Sequence, residues 1–157
     1  MQPTAERVKH ILAVVKPLAA EYYRLTGKPI GVTGEVAEYV VAETLKLELA
    51  PPRTAGYDAI RVTSQGHERI QIKGRAFGES TRSQRIGRIK AGADCDKVIL
   101  VLLDNATLDP VGMWEASYLE VVAHLQVPGS KSRNERGSMS VSAFKRLASQ
   151  FGRKHIP

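Results

Sequence analysis

The chain has 157 residues, enough for one domain whose core is large enough to fold unaided. Its 43% hydrophobic and 25% charged residues are ordinary for a globular protein; no apolar run approaches bilayer length, MQPTAERVKH is too polar for a signal peptide, and the single Cys95 excludes an internal disulfide or a cysteine metal cluster, so a cytoplasmic location is expected. The net charge of +7 and pI near 9.7 fit either a nucleic-acid binder or a protein kept soluble by its charge.

In chain order, Val8, Ile11, Leu12, Val15, Leu18 and Ala19 recur at helical spacing and predict a helix over 5–25, with Thr4 as N-cap and Pro17 set to kink or divide it. The glycines of TGKPIGVTG make 26–34 a loop. A second helix is expected from Thr33 to about Leu49, with Val36, Tyr39, Val40, Leu47 and either Glu43 or Thr44 facing inward. GYDAIRVTS (56–64) and ERIQIKGR (68–75) alternate as two strands of a hairpin, with SQGHE as the turn. Arg82 to Lys90 is predicted as a short helix that turns Ile86 and Ile89 inward. The run KVILVLLD (97–104) predicts a central strand buried on both faces, VGMWEAS (111–117) another strand and YLEVVAHLQ (118–126) a helix. PGSKSRNERGS reads as a loosely ordered loop, and Ser140 or Ser142 caps a last helix. The order describes one α/β domain over 1–157, with a mixed sheet flanked by helices.

Positive charge is gathered in two blocks. Arg69 to Lys90 holds seven Lys or Arg against Glu79 alone, and Lys131 to Lys154 holds seven against Glu135 alone. Between Glu35 and Glu48 the balance reverses, with four Glu and one Lys. Asp58 stands at the start of one hairpin strand, and Gln71 and Lys73 share a face of the other. Adjacent strands lie about 5 Å apart, so Asp58 can meet Gln71 or Lys73 on one side of the hairpin. Glu35 opens the second helix. Taken singly, each residue has a plainer role: an Asp caps turns, a Lys guards a strand edge, and a Glu in a first turn favours the helix dipole.

Taken in order, GE35, GYD58 and QIK73 resemble the PD-(D/E)xK nuclease superfamily, the restriction-endonuclease-like proteins, over about residues 31–117. The nearest subgroup is the Mrr-like and Holliday-junction-resolvase-like proteins, in which a Gln replaces the first acidic residue of the (D/E)xK. The resemblance implies a restriction-endonuclease-like fold and a Mg²⁺- or Mn²⁺-dependent nuclease acting on double-stranded or branched DNA; at 157 residues, target choice would come from a homodimer or a partner chain. It implies Asp58 as principal metal ligand, Lys73 as catalytic lysine, Gln71 in the second acidic position, Glu35 as the helix glutamate and the Ile72 carbonyl as a further ligand. Tyr57 replaces the signature proline. Gln71 is the weightier departure, because an amide oxygen binds Mg²⁺ less strongly than a carboxylate. The other reading is the same fold as a DNA-binding module that cuts poorly or not at all, with Asp58 and Lys73 kept as an internal ion pair.

The expected phosphate contacts are Arg75, Arg82, Arg85 and Arg88, with Lys145 and Arg146 behind them and Ser83 and Gln84 as loop candidates. Trp114 and Tyr118 suit burial better than base stacking, His67 belongs to the turn, Tyr22 and Tyr23 to helix packing, and Cys95 has no activator beside it in sequence.

Overall fold

The run KVILVLLD forms strand β4 (Lys97–Asp104), and every residue from Val98 to Leu103 is buried. Six consecutive buried side chains require cover on both faces, which the remaining elements supply. In the computed structural model, which describes residues 3–27, 30–78 and 83–151, the other elements are α1 (Pro3–Thr26), α2 (Val32–Leu45), β1 (Glu48–Leu49), β2 (Ala59–Thr63), β3 (Gly66–Phe77), β5 (Pro110–Ser117), α3 (Tyr118–Gln126), α4 (Lys131–Asn134), α5 (Val141–Leu147) and β6 (Ser149–Gln150). The strands form one six-stranded sheet in the order β1-β2-β3-β4-β5-β6. Only β3 and β4 pair in parallel; every other neighbour is antiparallel. The fold is therefore α/β with a mixed sheet flanked by helices.

One face of the sheet carries Ile70, Ile72, Ile99, Val101, Leu103 and Met113 and packs against Ala37 and Val41 of α2. The other carries Val98, Leu100, Leu102 and Ala116 and packs against Val121 and Leu125 of α3, Ala143 and Phe144 of α5, and Ile86 and Ile89. The expected inward stripe of α2 is corrected in part. Ala37, Val41 and Ala42 are buried, whereas Tyr39 is 56% exposed and donates to Glu43 Oε1 at 2.8 Å. Gly74 of β3 explains the rotation. A Cβ there would stand 2.4 Å from Ala37 Cβ, so the helix lies too close to the strand for any but a small residue at its contact face.

The predicted helix at 82–90 is absent over its described part, 83–90, which is irregular apart from a single bridge between Arg85 and Ser140. Its Ile86 and Ile89 N–H groups donate to the Met139 and Gly137 carbonyls, and Val141 N–H donates to Gln84 O. Both isoleucines face inward as expected, but the backbone hydrogen bonds go across to 137–141 and not along a helix. Within the expected loop, residues 131–134 form α4, with the Ser130 hydroxyl accepting from Arg133 N–H. Ser140 is the cap of α5, accepting from Ala143 N–H at 3.1 Å.

By contact density the chain divides into two units, the described parts of 1–32 with 51–53, and 33–50 with the described parts of 54–157. In the first, α1 continues through Pro17 without being divided, and Thr4 lies inside it. The helix stops at Gly27, whose φ of +70° is the left-handed stop that glycine adopts most easily, and Arg53 donates to the Gly27 carbonyl at 2.6 Å. Ile11, Val15 and Leu18 of its apolar stripe are exposed. Among the described residues no helix is long and apolar enough to cross a membrane.

Candidate functional site

The hairpin of β2 and β3 pairs from Thr63↔Gly66 to Ala59↔Ile70 and ends there. Asp58 N–H donates to the Ile70 carbonyl at 2.8 Å as the last backbone link, after which β2 turns away while β3 continues to Phe77 beside β4. From Ile72 onward, among the described residues, one edge of β3 has no strand beside it. The Asp58 carboxylate takes that place: its Oδ2 accepts the Ile72 N–H at 2.7 Å. In a strand the N–H and C=O of one residue point the same way, so the Ile72 carbonyl lies on this edge as well. Farther along, Gln84 Nε2 donates to the Ala76 carbonyl at 2.8 Å.

Alternation along β3 sends Ile70, Ile72 and Gly74 toward α2 and sends Gln71, Lys73 and Arg75 to the opposite face, beside Val98, Leu100 and Leu102. Strand pairing stops at Ala59↔Ile70, and Asp58 meets β3 through its N–H to the Ile70 carbonyl and its carboxylate to the Ile72 N–H. The Gln71 Oε1 atom is fully buried and has no hydrogen-bond donor among the described residues. Lys73 is half-buried, and its pKa is held below the ordinary lysine value. Burial is the main cause; the Asp58 charge opposes it, Arg75 adds to it, and Glu38 and Cys95 oppose it more weakly.

The structure thus gathers Asp58, Gln71, Lys73 and the Ile72 backbone at one edge. Glu35 is half-buried in the first turn of α2, but the helix carboxylate prominent among the charges on Lys73 is Glu38, one turn later on the same side. Cys95 also belongs to this neighbourhood. Its thiol donates to the Lys97 carbonyl at 3.1 Å, and burial pushes its pKa up against hydrogen bonds from the Gln71 and Lys97 backbone, so it stays protonated and unreactive near neutral pH. Sequence reasoning missed both residues. Helical spacing from Glu35 points to Glu38, whereas no local signal places Cys95 across from Gln71.

The basic residues divide by what they already hold. Arg75 Nε donates to the Arg85 carbonyl at 2.6 Å, and Arg85 donates through Nε to Ser138 Oγ at 3.2 Å and through a terminal nitrogen to Ser138 O at 2.6 Å. These two arginines fasten the 83–90 segment, although Arg85 remains exposed. Lys145 stands 4.2 Å over the half-buried Trp114 ring, which also lies beside Gly112. Arg88 and Arg146 are exposed, and Arg82 lies outside the described residues. Tyr118 is buried, its hydroxyl donating to the Lys90 carbonyl and accepting from Ala93 N–H, which makes it a structural residue.

Hard oxygen donors are what a small divalent cation selects. The Asp58 carboxylate, the unsatisfied Gln71 Oε1 and the Ile72 carbonyl are donors of that kind on neighbouring backbone positions, and the orphaned amide oxygen fits such an ion. Among the described residues, no three His, Cys, Asp or Glu side chains gather as a metal cluster. No protein-family model matches this sequence, and a search of curated proteins gives no significant match.

Proposed function

We propose that the chain is a divalent-metal-dependent nuclease of the restriction-endonuclease-like type, cutting phosphodiester bonds in DNA. The observation that carries this reading is the open edge of β3, where Asp58 holds the Ile72 N–H beside the donorless Gln71 Oε1 and the half-buried Lys73. Asp58, Gln71 Oε1, the Ile72 carbonyl and Glu35 would hold Mg²⁺ or Mn²⁺, which supplies Lewis-acid activation of water and phosphate when bound. Lys73 is a cation desolvated beside a carboxylate, and it is placed to neutralise charge developing on a phosphate oxygen. The +7 net charge and the exposed Arg88 and Arg146 favour a polyanionic substrate.

The second reading, a DNA-binding module that does not cut, is favoured by Gln71 in the place of a carboxylate, since an amide oxygen binds Mg²⁺ less strongly. One experiment separates the two. Supercoiled plasmid is incubated with Mg²⁺ or Mn²⁺ and wild type, Asp58→Asn or Lys73→Met. The nuclease reading expects metal-dependent nicking that falls by on the order of 10²-fold or more in each variant. Salt-sensitive binding with no nicking by any of the three proteins selects the module, and absence of binding at low salt rejects both.

A further inference from the structure

A second polar concavity lies apart from the β3 edge, between the 88–91 segment, α3 and α4. It encloses about 160 Å³ and is lined by Arg88, Lys90, Arg133 and Glu135, with Val122 and Leu125 as its apolar wall. Three basic residues and one acidic residue line it. The Arg133 guanidinium is anchored from one side: a terminal nitrogen donates to the Val127 and Pro128 carbonyls at 3.2 and 3.4 Å. Its Nε–H is fully buried and has no acceptor among the described residues. A buried donor left unpaired is costly, and native structures rarely keep one without a ligand or water to meet it.

Two further features suit the pocket to an anion. The last carbonyls of α3 would repel one, but Asn134 Nδ2 already occupies the Leu125 and Val127 carbonyls at 2.8 and 2.9 Å. Gly137, at φ +60°, lets the chain pass so close to Ile89 that a Cβ would stand 2.6 Å from its carbonyl oxygen, and this fixes the pocket floor.

The geometry points to a phosphate-binding subsite formed by Arg88, Lys90 and Arg133. Resting on the nuclease reading, the phosphate is one of a DNA backbone. Arg88 lies three residues beyond Arg85 on the segment that Arg75 of β3 holds through the Arg85 carbonyl.

The test uses the ¹⁵N-labelled full chain titrated with inorganic phosphate at constant ionic strength, beside Arg133→Gln and Arg88→Gln. Amide shifts are expected at Gln126, Glu135 and Gly137, with binding weakened about tenfold in each variant. Arg88 is exposed, so Arg88→Gln decides the matter even if Arg133→Gln does not fold. A spectrum unmoved by phosphate overturns the subsite. In a second arm, the salt dependence of duplex binding is expected to lose about one unit of slope in Arg88→Gln. Phosphate shifts with an unchanged slope assign the pocket to free phosphate and overturn its DNA role. If wild type does not bind DNA at low salt, the nuclease reading falls, and the phosphate titration still decides the pocket.

Discussion

Replacing Gly74 with alanine tests the contact that sets α2 against the sheet. The added Cβ would lie 2.4 Å from Ala37 Cβ and 3.4 Å from the Thr33 carbonyl oxygen. Carbon atoms rest at about 3.5–4.0 Å, so helix and strand must part locally by about 1 Å or more. Ala37, Val41 and Ala42 are the buried face of that helix, and a gap of this size forfeits about a quarter to a half of the dispersion attraction across it. The expected loss is about 1–3 kcal/mol, the usual range for overpacking a well-filled core. Urea unfolding followed by circular dichroism measures it. Ala37→Gly on its own costs about 1 kcal/mol in helix propensity. In the double variant the methyl group has only changed sides, so it should be more stable than Gly74→Ala alone, with a coupling of at least about 1 kcal/mol. Wild-type stability in Gly74→Ala, or strict additivity in the cycle, would refute the steric argument. The same displacement moves Glu38 relative to Lys73, so Gly74→Ala should also depress any metal-dependent cleavage.

Arg61 lies between Glu68 and Glu115 at 3.0 and 2.6 Å, with two separate nitrogens bonded to the two Glu115 oxygens. Arg61→Ala leaves two half-buried carboxylates without their cation and should cost about 2 kcal/mol by urea midpoint, below the range for a fully buried pair; adding Glu115→Ala should cost less than the sum of the single changes. Lys73, whose folded pKa is depressed, binds protons more readily in the unfolded chain, so its burial is most costly below the folded value and this cost fades as pH rises toward the unfolded value. Lys73→Met should therefore melt above wild type at pH 7, and the difference should narrow toward about pH 10.4 in a thermal melting series. Cys95, with its thiol pKa raised by burial, should react with Ellman's reagent more slowly in the native protein than in urea at pH 8, and the gap should shrink at higher pH. Equal rates in both states would contradict its placement.

Local signals carried most of the architecture. The unbroken apolar run placed β4 at 97–104, the helical periodicity after Ser117 placed α3 at 118–126, and the Ser140 hydroxyl marked the start of α5. The hairpin was legible because its strands alternate and its turn is short. The segment after it was not, because isoleucines three apart suit a helical turn as well as an extended chain. What decides between them is hydrogen bonding to a partner 53 residues on, where Arg85 meets Ser138. The inward face of α2 was misread at Tyr39 because the helix is oriented by Gly74, a residue without a side chain. At the candidate site, the hairpin alternation brings Asp58 toward Gln71 or Lys73, and the structure sets its carboxylate on the Ile72 N–H between them in sequence. Glu38 and Cys95 arrive from other elements, and no spacing within the hairpin points to them.

The way β2 departs from β3 also gives the molecule a built-in reporter. Most amide protons inside a sheet are shielded by a neighbouring carbonyl, and their exchange reports backbone opening. The Ile72 proton is shielded by a carboxylate, so its resonance and exchange rate follow the state of one side chain. Protonation of Asp58, its replacement by asparagine or an ion drawing on its oxygens would each register at that single amide while the ladder between β3 and β4 stays closed. Occupancy of the candidate site can thus be followed at one backbone position, with no label attached and no cleavage required.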